Sequence, residues 1–374
     1  MVNLIDTTSA TATNKEQQAQ EPAQQKLVHA VFEGGGVRGI GHVGALKVAE
    51  DLGYRWDHVA GTSAGAIVAA LIAAGYSAAE LYQIMTEIDY KQFADGPKVD
   101  MLHAAEGYNM LWHGGMYPGN YVQSFVSEHL AARNIKTFGD LIDKDNLDNP
   151  NQFMRYRLTV IASDITTGRM LRIPQDLKTL YGSDPDTFEV ARAVRMSASY
   201  PFFFIPMPLQ DKVGMVCRIV DGGLLSNFPL FLFEEQRVVP DRPTLGFRLV
   251  NPAPPIDSAM LEGSNSVVGF VKALIDTMLS AHDKLYMDDS TYVRTISIPT
   301  GDVASTQFDL SPEQVTMLYQ NGQKAARKFF LGTGNNDGWN FEAYKAVYAN
   351  GQAPTTSRIQ NLHANMNRIS QKLA

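Results

Sequence analysis

The amino-acid sequence predicts an α/β fold in which a parallel-rich central sheet is flanked by helices. Short apolar runs typical of buried strands alternate along the chain with longer segments of helical periodicity. Glycine-rich turns stand at several of the strand-to-helix junctions. Strands that alternate with helices indicate a largely parallel sheet, because each helix returns the chain to the start of the next strand.

The first hundred residues contain the clearest strand–turn–helix units. A buried strand is predicted at residues 27–32, and a helix follows the glycines over residues 39–52. A second strand at 58–60 precedes a small-residue helix at 64–74. A capping box at Ser77-Ala78-Ala79-Glu80 begins another helix, which we expect to end near residue 89.

The rest of the chain continues the alternation less regularly. Strands are predicted at residues 157–163, 170–173, 218–220, 244–250 and 292–298. Helices are predicted at residues 121–133, 187–196 and 267–287, and from Ser311, where proline occupies the first helical position. We expect a disordered polar tail at 1–25, one domain at 26–330, and a helical extension at 331–374 packed on that domain.

Composition and charge exclude several classes of protein. The formal net charge of −7 argues against a general nucleic-acid-binding protein, which needs a basic face. The single cysteine cannot form an internal disulfide. No apolar run is long enough to span a bilayer, and the N-terminus lacks a signal peptide. We expect a soluble protein, cytoplasmic as synthesised, whose membrane contact is peripheral; secretion without a signal peptide stays open.

The first chemical motif is a glycine-rich loop between the first predicted strand and helix. Its glycines allow backbone N–H groups to converge on an anion, and the following helix adds the positive end of its dipole. By itself the motif fits an oxyanion hole, a dinucleotide site or a tight turn. The loop consists of Gly34, Gly35, Gly36, Val37, Arg38 and Gly39.

The second motif is a G-x-S-x-G pentapeptide, which also joins a strand to a helix. It consists of Gly61, Thr62, Ser63, Ala64 and Gly65. This pattern is typical of a nucleophile elbow, in which a sharp turn exposes the serine hydroxyl. The alternative is a glycine-rich turn whose serine only caps the next helix.

The third motif, Asp221-Gly222-Gly223, directly follows an apolar strand. A carboxylate at a strand end, with glycines that permit close approach, is a candidate general base. The alternative is a turn that simply favours Asp and Gly. If the serine and aspartate loops both end strands at one sheet edge, Asp221 contacts the Ser63 hydroxyl directly.

Together and in this order, the three motifs resemble the patatin-like phospholipase family, with a fold distantly like that of α/β-hydrolases. Further matching positions are Ala198, Ser199, Tyr200, Pro201, Phe204, Pro206, Asn227 and Pro229. The resemblance implies that Ser63 and Asp221 form a catalytic dyad, that residues 34–39 form the oxyanion hole, and that 26–330 is a catalytic domain. It also implies phospholipase A or esterase activity, and no metal or cofactor.

The expected substrate is a phospholipid or another lipid ester, and the sequence identifies no protein partner. The aromatic run at 202–204 is a candidate acyl-chain lining, although such runs more often belong to a core. Residues 101–117 combine apolar side chains with a loop-like pattern, which makes them a candidate lid.

Three alternatives remain open at this stage. A Ser-His-Asp triad would need a histidine such as His282. A nucleotide-binding enzyme would use residues 34–39, with Asp57 near the position expected for a ribose-binding acid. A catalytically silent binding module would keep the fold without the reaction.

Overall fold

A computed structural model of the chain describes residues 25–93, 114–233, 240–251, 289–334 and 337–349. The predicted polar tail, the predicted helix at 267–287 with His282, and all but the last four residues of the candidate lid lie outside the described residues. None of the helices in these ranges is long and apolar enough to cross a bilayer.

Eight of the ten strands in the described ranges form one sheet. The strands are β1 Lys26–Phe32, β2 Tyr54–Thr62, β3 Gly115–Tyr117, β4 Leu158–Asp164, β5 Arg169–Ile173, β6 Phe202–Phe204, β7 Met207–Gln210, β8 Val216–Asp221, β9 Thr244–Val250 and β10 Thr295–Pro299. The main path of the large sheet runs β10-β9-β1-β2-β4-β8-β7, and β5 pairs with β4 off this path. A separate two-stranded sheet joins β3 to β6.

The predicted parallel-rich sheet is confirmed, with an antiparallel end. Strands β10, β9, β1, β2 and β4 run parallel to one another. Beyond them, β5 and β8 both run antiparallel to β4, and β7 runs antiparallel to β8. The sequence predicted neither β6 nor β7, because their residues lie in an aromatic and proline-rich run in which apolar and polar side chains do not clearly alternate.

The helices of the described ranges largely follow the predicted periodicity. The predicted capping box at Ser77 is formed, and the helix predicted to start at Ser311 begins with a second capping box. The strand predicted at 58–60 is longer, because polar residues from Arg55 onward pair with β1 without an apolar pattern. The helices are α1 Ile40–Asp51, α2 Ala64–Ala73, α3 Ala78–Glu87, α4 Asn120–Ala131, α5 Val190–Ser197, α6 Asp289–Val293, α7 Pro312–Leu331 and α8 Phe341–Ala349.

The core lies between the sheet and its helices. Phe32 of β1 and Phe247 of β9 stack inside it, with ring centroids 4.8 Å apart. Helix α7 crosses α1 closely enough that a Cβ at Gly322 would lie 2.0 Å from the Gly41 carbonyl oxygen. After α7, Trp339 and Tyr344 are buried in the same core, so residues 337–349 pack on the main domain.

Strand β4 has both of its edges occupied, and this arrangement positions the candidate site. β5 pairs along one edge over residues 160–164. The other edge is shared: β2 pairs with residues 158–161 and β8 with residues 162–164. Because β2 is parallel to β4 and β8 is antiparallel, the carboxyl ends of β2 and β8 meet head-on along this edge.

Candidate active site

Ser63 occupies a sharp turn between β2 and α2. Its backbone has φ 53° and ψ −123°, a conformation that costs energy in any residue other than glycine. The Ser63 N–H donates to the Ser197 hydroxyl at 2.8 Å, and that hydroxyl donates to the Ile161 carbonyl at 2.5 Å. These two bonds tie the strained turn to β4 and leave the Ser63 side chain half-buried.

The flanking glycines allow this turn to approach its neighbours closely. A Cβ at Gly65 would lie 2.2 Å from the carbonyl oxygen of Phe32, at the end of β1. A Cβ at Gly61 would lie 2.2 Å from the carbonyl oxygen of Gly65 itself. The G-x-S-x-G spacing is therefore explained by steric contacts on both sides of the serine.

The glycine-rich loop lies directly against Ser63. A Cβ on Gly34 would lie 3.1 Å from the Ser63 Cβ. Three of the loop's N–H groups are engaged. Gly34 donates to the Asn227 carbonyl at 3.4 Å, Val37 to the Ser305 carbonyl at 3.1 Å and Arg38 to the Gly35 carbonyl at 3.3 Å.

The N–H groups of Gly35 and Gly36 donate no hydrogen bond to any residue that the structure describes. They are therefore the members of residues 34–39 that are available to an anion beside the serine. Gly36 has φ +56°, so this part of the loop adopts a backbone conformation that favours glycine.

A buried histidine supports the start of the same loop. The Nε2–H of His42, on α1, donates to the Glu33 carbonyl oxygen at 2.9 Å. Burial lowers the pKa of His42 to about 4, so the imidazole is neutral at pH 7. His42 therefore fixes the end of β1, and it makes no hydrogen bond to Ser63.

Asp221 ends β8 and is almost completely buried, with 2% of its surface exposed. Its Oδ1 accepts a hydrogen bond from the Gly223 N–H at 2.8 Å. Its Oδ2 is buried and has no hydrogen-bond partner among the described residues. The Ser63 hydroxyl lies beside this carboxylate and stabilises its charge, although the pair does not complete a hydrogen bond of good geometry.

The pKa of Asp221 reflects this enclosure. Burial raises it to about 6 from an ordinary value near 3.8, while the Ser63 hydroxyl and the Gly223 N–H oppose the rise by stabilising the carboxylate. The group is therefore a stronger base than an exposed aspartate and still mostly ionised at neutral pH.

Strand pairing explains why the serine and the aspartate are neighbours. Thr62 stands opposite Ile161 on β4, and Asp221 stands opposite the next residue, Ala162. The side chains of Ser63, which follows Thr62, and Asp221 therefore meet where β2 and β8 end head-on. The sequence predicted a shared sheet edge but not the antiparallel direction of β8, which depends on a pairing between distant segments.

Sequence reasoning missed the polar side chains that support this junction. The Asp221 N–H donates to the Ser199 carbonyl at 2.9 Å. Arg195, on α5, is 1% exposed and donates to the Ser199 hydroxyl, and to the carbonyl oxygens of Pro118 at 2.5 Å and Ile205 at 3.0 Å. Ser199 was named only as part of the family-like pattern that begins at Ala198, and Arg195, which precedes that pattern, was not singled out.

A cavity of about 570 Å³ opens onto Ser63 and Asp221. Its polar lining residues include Arg38, Asn227, Arg248, Asn251, Ser305 and Thr306. Its apolar lining includes a packed group of Ile67, Ile88, Tyr90, Phe93, Val122, Phe203, Phe204 and Phe308, together with Met85 and Phe125. Of the aromatic run at 202–204, the last two residues line the cavity and Phe202 is exposed.

The residues proposed for the alternative functions lie elsewhere. Asp57 is paired with Arg242 in the first half of β2, four residues and therefore roughly 13 Å along the strand from Gly61, which stands opposite Phe32 at the end of β1. Asp57 is thus remote from the glycine-rich loop at residues 34–39, with which it would have to form a nucleotide site. No histidine of the described ranges lines the cavity, and His282 lies outside those ranges.

Comparison with known proteins identifies relatives over most of the chain. A family model described as patatin-like phospholipase matches residues 30–233. The chain is 37% identical to the uncharacterized protein YqhO of Bacillus subtilis over 303 residues, which are 81% of this chain and 97% of that protein. It is 27% identical to a cUMP-AMP-activated phospholipase of Escherichia coli, over 59% of this chain and 62% of that protein.

Among solved structures, the chain is similar to VipD from Legionella pneumophila, with a TM-score of 0.45 and 17% sequence identity. The similarity covers 81% of this chain and 66% of VipD. The type III effector ExoU gives a TM-score of 0.42 at 15% identity, over 80% of this chain and 52% of ExoU.

The buried carboxylate leads to a prediction about stability. Because the folded chain raises the pKa of Asp221, the ionised group destabilises the fold above pH 6, and this cost disappears as the pH falls to about 4. We expect Asp221→Asn to raise the free energy of unfolding at pH 8 by about 2–3 kcal/mol. Urea unfolding at both pH values measures this difference.

The control is Asp148→Asn, which replaces an exposed aspartate and should leave stability unchanged within about 0.5 kcal/mol at both pH values. Two results would contradict a buried, unpaired carboxylate at Asp221. One is an Asp221→Asn chain that is less stable than the wild-type chain at pH 8. The other is a stability difference between these two chains that does not vary with pH.

Proposed function

This chain belongs to the patatin-like phospholipase family and is a lipid acyl hydrolase, and we propose that it uses a Ser63–Asp221 dyad to cleave acyl esters of phospholipids or related lipids. The observation that carries the proposal is the unpartnered Oδ2 of Asp221 beside the Ser63 hydroxyl, at the floor of a half-apolar cavity. No metal or cofactor is required by this chemistry.

Substrate binding uses both kinds of side chain that line the cavity. The packed aromatic and aliphatic group accommodates an acyl chain, whose burial is favoured by the hydrophobic effect. The guanidinium groups of Arg38 and Arg248 suit the phosphate of a phospholipid head group. The ester carbonyl then lies next to Ser63.

Acylation begins when Asp221 accepts the Ser63 hydroxyl proton. The serine oxygen attacks the ester carbonyl carbon, and the N–H groups of Gly35 and Gly36 stabilise the oxyanion. Collapse of the tetrahedral intermediate breaks the ester bond, and the protonated Asp221 gives its proton to the departing alcohol. The strained serine backbone and its bond to Ser197 hold the nucleophile in place before the substrate arrives.

Deacylation repeats these steps with water. Asp221 takes a proton from the water molecule, which attacks the acyl-serine, and the oxyanion again lies against Gly35 and Gly36. The fatty acid departs, and the proton returns to the Ser63 oxygen. Arg38 and Val37 contribute to this scheme by shaping the loop, because their N–H groups are engaged elsewhere.

The first test replaces the nucleophile. Ser63→Ala should reduce hydrolysis of a short-chain ester at least about a hundredfold, since the loss of a nucleophile usually costs several orders of magnitude. The matched control is Ser124→Ala, on the exposed face of α4, which should retain the wild-type rate. A folded Ser63→Ala enzyme that keeps more than about a hundredth of the activity would refute the assignment.

The second test separates the dyad from a triad. Asp221→Asn should be nearly as damaging to kcat/KM as Ser63→Ala, because the amide cannot accept the serine proton. Single alanine substitutions should leave substantial activity at each histidine: His29, His42, His58, His103, His113, His129, His282 and His363.

Each histidine variant is first checked for folding by circular dichroism, because His42 and His58 are buried. The triad replaces the dyad if one folded histidine variant loses activity as completely as Asp221→Asn.

A further inference from the structure

A cluster of three ionisable side chains lies in the first half of β1 and β2, away from Ser63. Val28 stands opposite Trp56, but Ala30 stands opposite Val59. One residue of β1, His29, therefore faces two residues of β2, Asp57 and His58. Such a β-bulge is rare between parallel strands and redirects side chains.

The bulge brings consecutive side chains of β2 to one place. In a regular strand Asp57 and His58 would point to opposite faces of the sheet. Here the Asp57 Oδ2 lies 3.3 Å from the His58 Nδ1 and 3.8 Å from the His29 Nδ1. The three ligand-type atoms all lie within 4.8 Å of one another.

The Nδ1 atoms of His29 and His58 both lie beside the Asp57 carboxylate without completing a hydrogen bond of good geometry. His58 stabilises the ionised carboxylate at this contact, and no other described residue forms a hydrogen bond with either Nδ1 atom. The two imidazoles are themselves nearly inaccessible, at 5% and 0% exposure. Polar atoms so deeply buried normally form well-aligned hydrogen bonds, so this arrangement requires an explanation.

The other nitrogen of His58 shows which tautomer a neutral ring must adopt. Its Nε2 lies 2.8 Å from the Met154 carbonyl oxygen and 3.5 Å from an Asp143 carboxylate oxygen, and both can only accept. Nε2 therefore carries the proton, and the Nδ1 lone pair of the neutral ring faces the Asp57 carboxylate. The His58 Nδ1 and the Asp57 Oδ2 are then two electron-rich atoms 3.3 Å apart, and a cation between them would stabilise both.

We propose that His29 Nδ1, Asp57 Oδ2 and His58 Nδ1 together bind one divalent transition-metal ion of the zinc type. Two imidazoles and one carboxylate form a ligand set that zinc uses, and tetrahedral bonds of about 2.0–2.2 Å separate the ligand atoms by roughly 3.3–3.6 Å. The measured separations of 3.3 and 3.8 Å from Asp57 are close to this range. Water completes the coordination.

The contacts around His58 fit a metal ligand. A metal-bound histidine usually donates its second ring N–H to a carbonyl or carboxylate, which fixes the ring and raises its basicity. The Met154 carbonyl and the Asp143 carboxylate occupy this position. His29 is held on its other side by the ring of Phe233, with centroids 5.2 Å apart.

Arg242 is the competitor for this site. Its guanidinium forms an ion pair with the same Asp57 oxygen that the metal would use. The Arg242 side chain is 37% exposed, so it can turn into solvent when an ion binds. Metal affinity should therefore increase when this cation is removed.

The ion would strengthen the fold and take no part in the reaction. It would join β1 to β2 at the bulge, about five residues along β2 from Ser63 and therefore roughly 16 Å away. Because a metal that binds only the folded chain stabilises it, the ion should raise the melting temperature.

The test uses the full chain, stripped of metal with a chelator and titrated with Zn²⁺ by isothermal titration calorimetry, with Tm measured in parallel. The wild-type chain should bind one equivalent and show a higher Tm. Asp57→Asn and His29→Gln should weaken binding about tenfold or more. Arg242→Ala should tighten it about twofold or more, because it removes a competing charge.

The matched control is Arg157→Ala. Arg157 contacts the Asp57 carbonyl at 3.4 Å and leaves its carboxylate untouched, so the Zn²⁺ affinity should stay at the wild-type value. Should the ligand variants fail to fold, the comparison of Arg242→Ala, which should bind Zn²⁺ more tightly, with Arg157→Ala, which should not, still decides the result.

Failure of the wild-type chain to bind one equivalent would overturn the proposal, as would equal affinity in the Arg242→Ala and Arg157→Ala proteins. A Tm that rises at lower pH but does not respond to Zn²⁺ would mean that a proton occupies the site, which also overturns it. These readouts do not involve hydrolysis, so they are independent of the catalytic proposal.

Discussion

The head-on meeting of β2 and β8 along one edge of β4 is the constraint on which the rest of the site depends. Parallel strands alone would align the serine turn with the glycine loop, since β1 and β2 are neighbours. Only an antiparallel β8 brings a carboxylate against the same turn from the opposite direction. The proposed oxyanion donors, nucleophile and base thus come from three strand ends that converge at the cavity.

This convergence is held together at a cost to stability. Asp221 is buried, and one of its oxygens has no hydrogen-bond partner among the described residues, while Ser63 adopts a strained backbone conformation. The surrounding structure compensates through Ser197, which anchors the serine turn, and through the Ser199 carbonyl, which anchors the aspartate. Arg195 in turn fixes Ser199 and two loop carbonyls, so one buried guanidinium supports the aspartate side of the junction.

The parts of this arrangement that could be predicted from sequence are those encoded locally. The spacing of Gly61, Ser63 and Gly65 identified the turn, because the steric contacts that need glycine lie within a few residues or on the adjacent strand. The direction of β8 could not be predicted, since it depends on pairing with β4. The bulge at His29 was also hidden, because a register shift leaves no mark on apolar periodicity. As a result, the sequence does not identify His29, Asp57 and His58 as a set of metal ligands, although these residues meet in space.

The central claim is that a carboxylate alone serves as the base for Ser63. The most direct measurement is a crystal structure of the enzyme after reaction with a fluorophosphonate. We expect phosphorus on the Ser63 oxygen, a phosphoryl oxygen about 2.7–3.1 Å from the Gly35 and Gly36 N–H groups, and Asp221 as the only base at the modified serine. An imidazole within hydrogen-bond distance of that oxygen, from any part of the chain, would contradict the account.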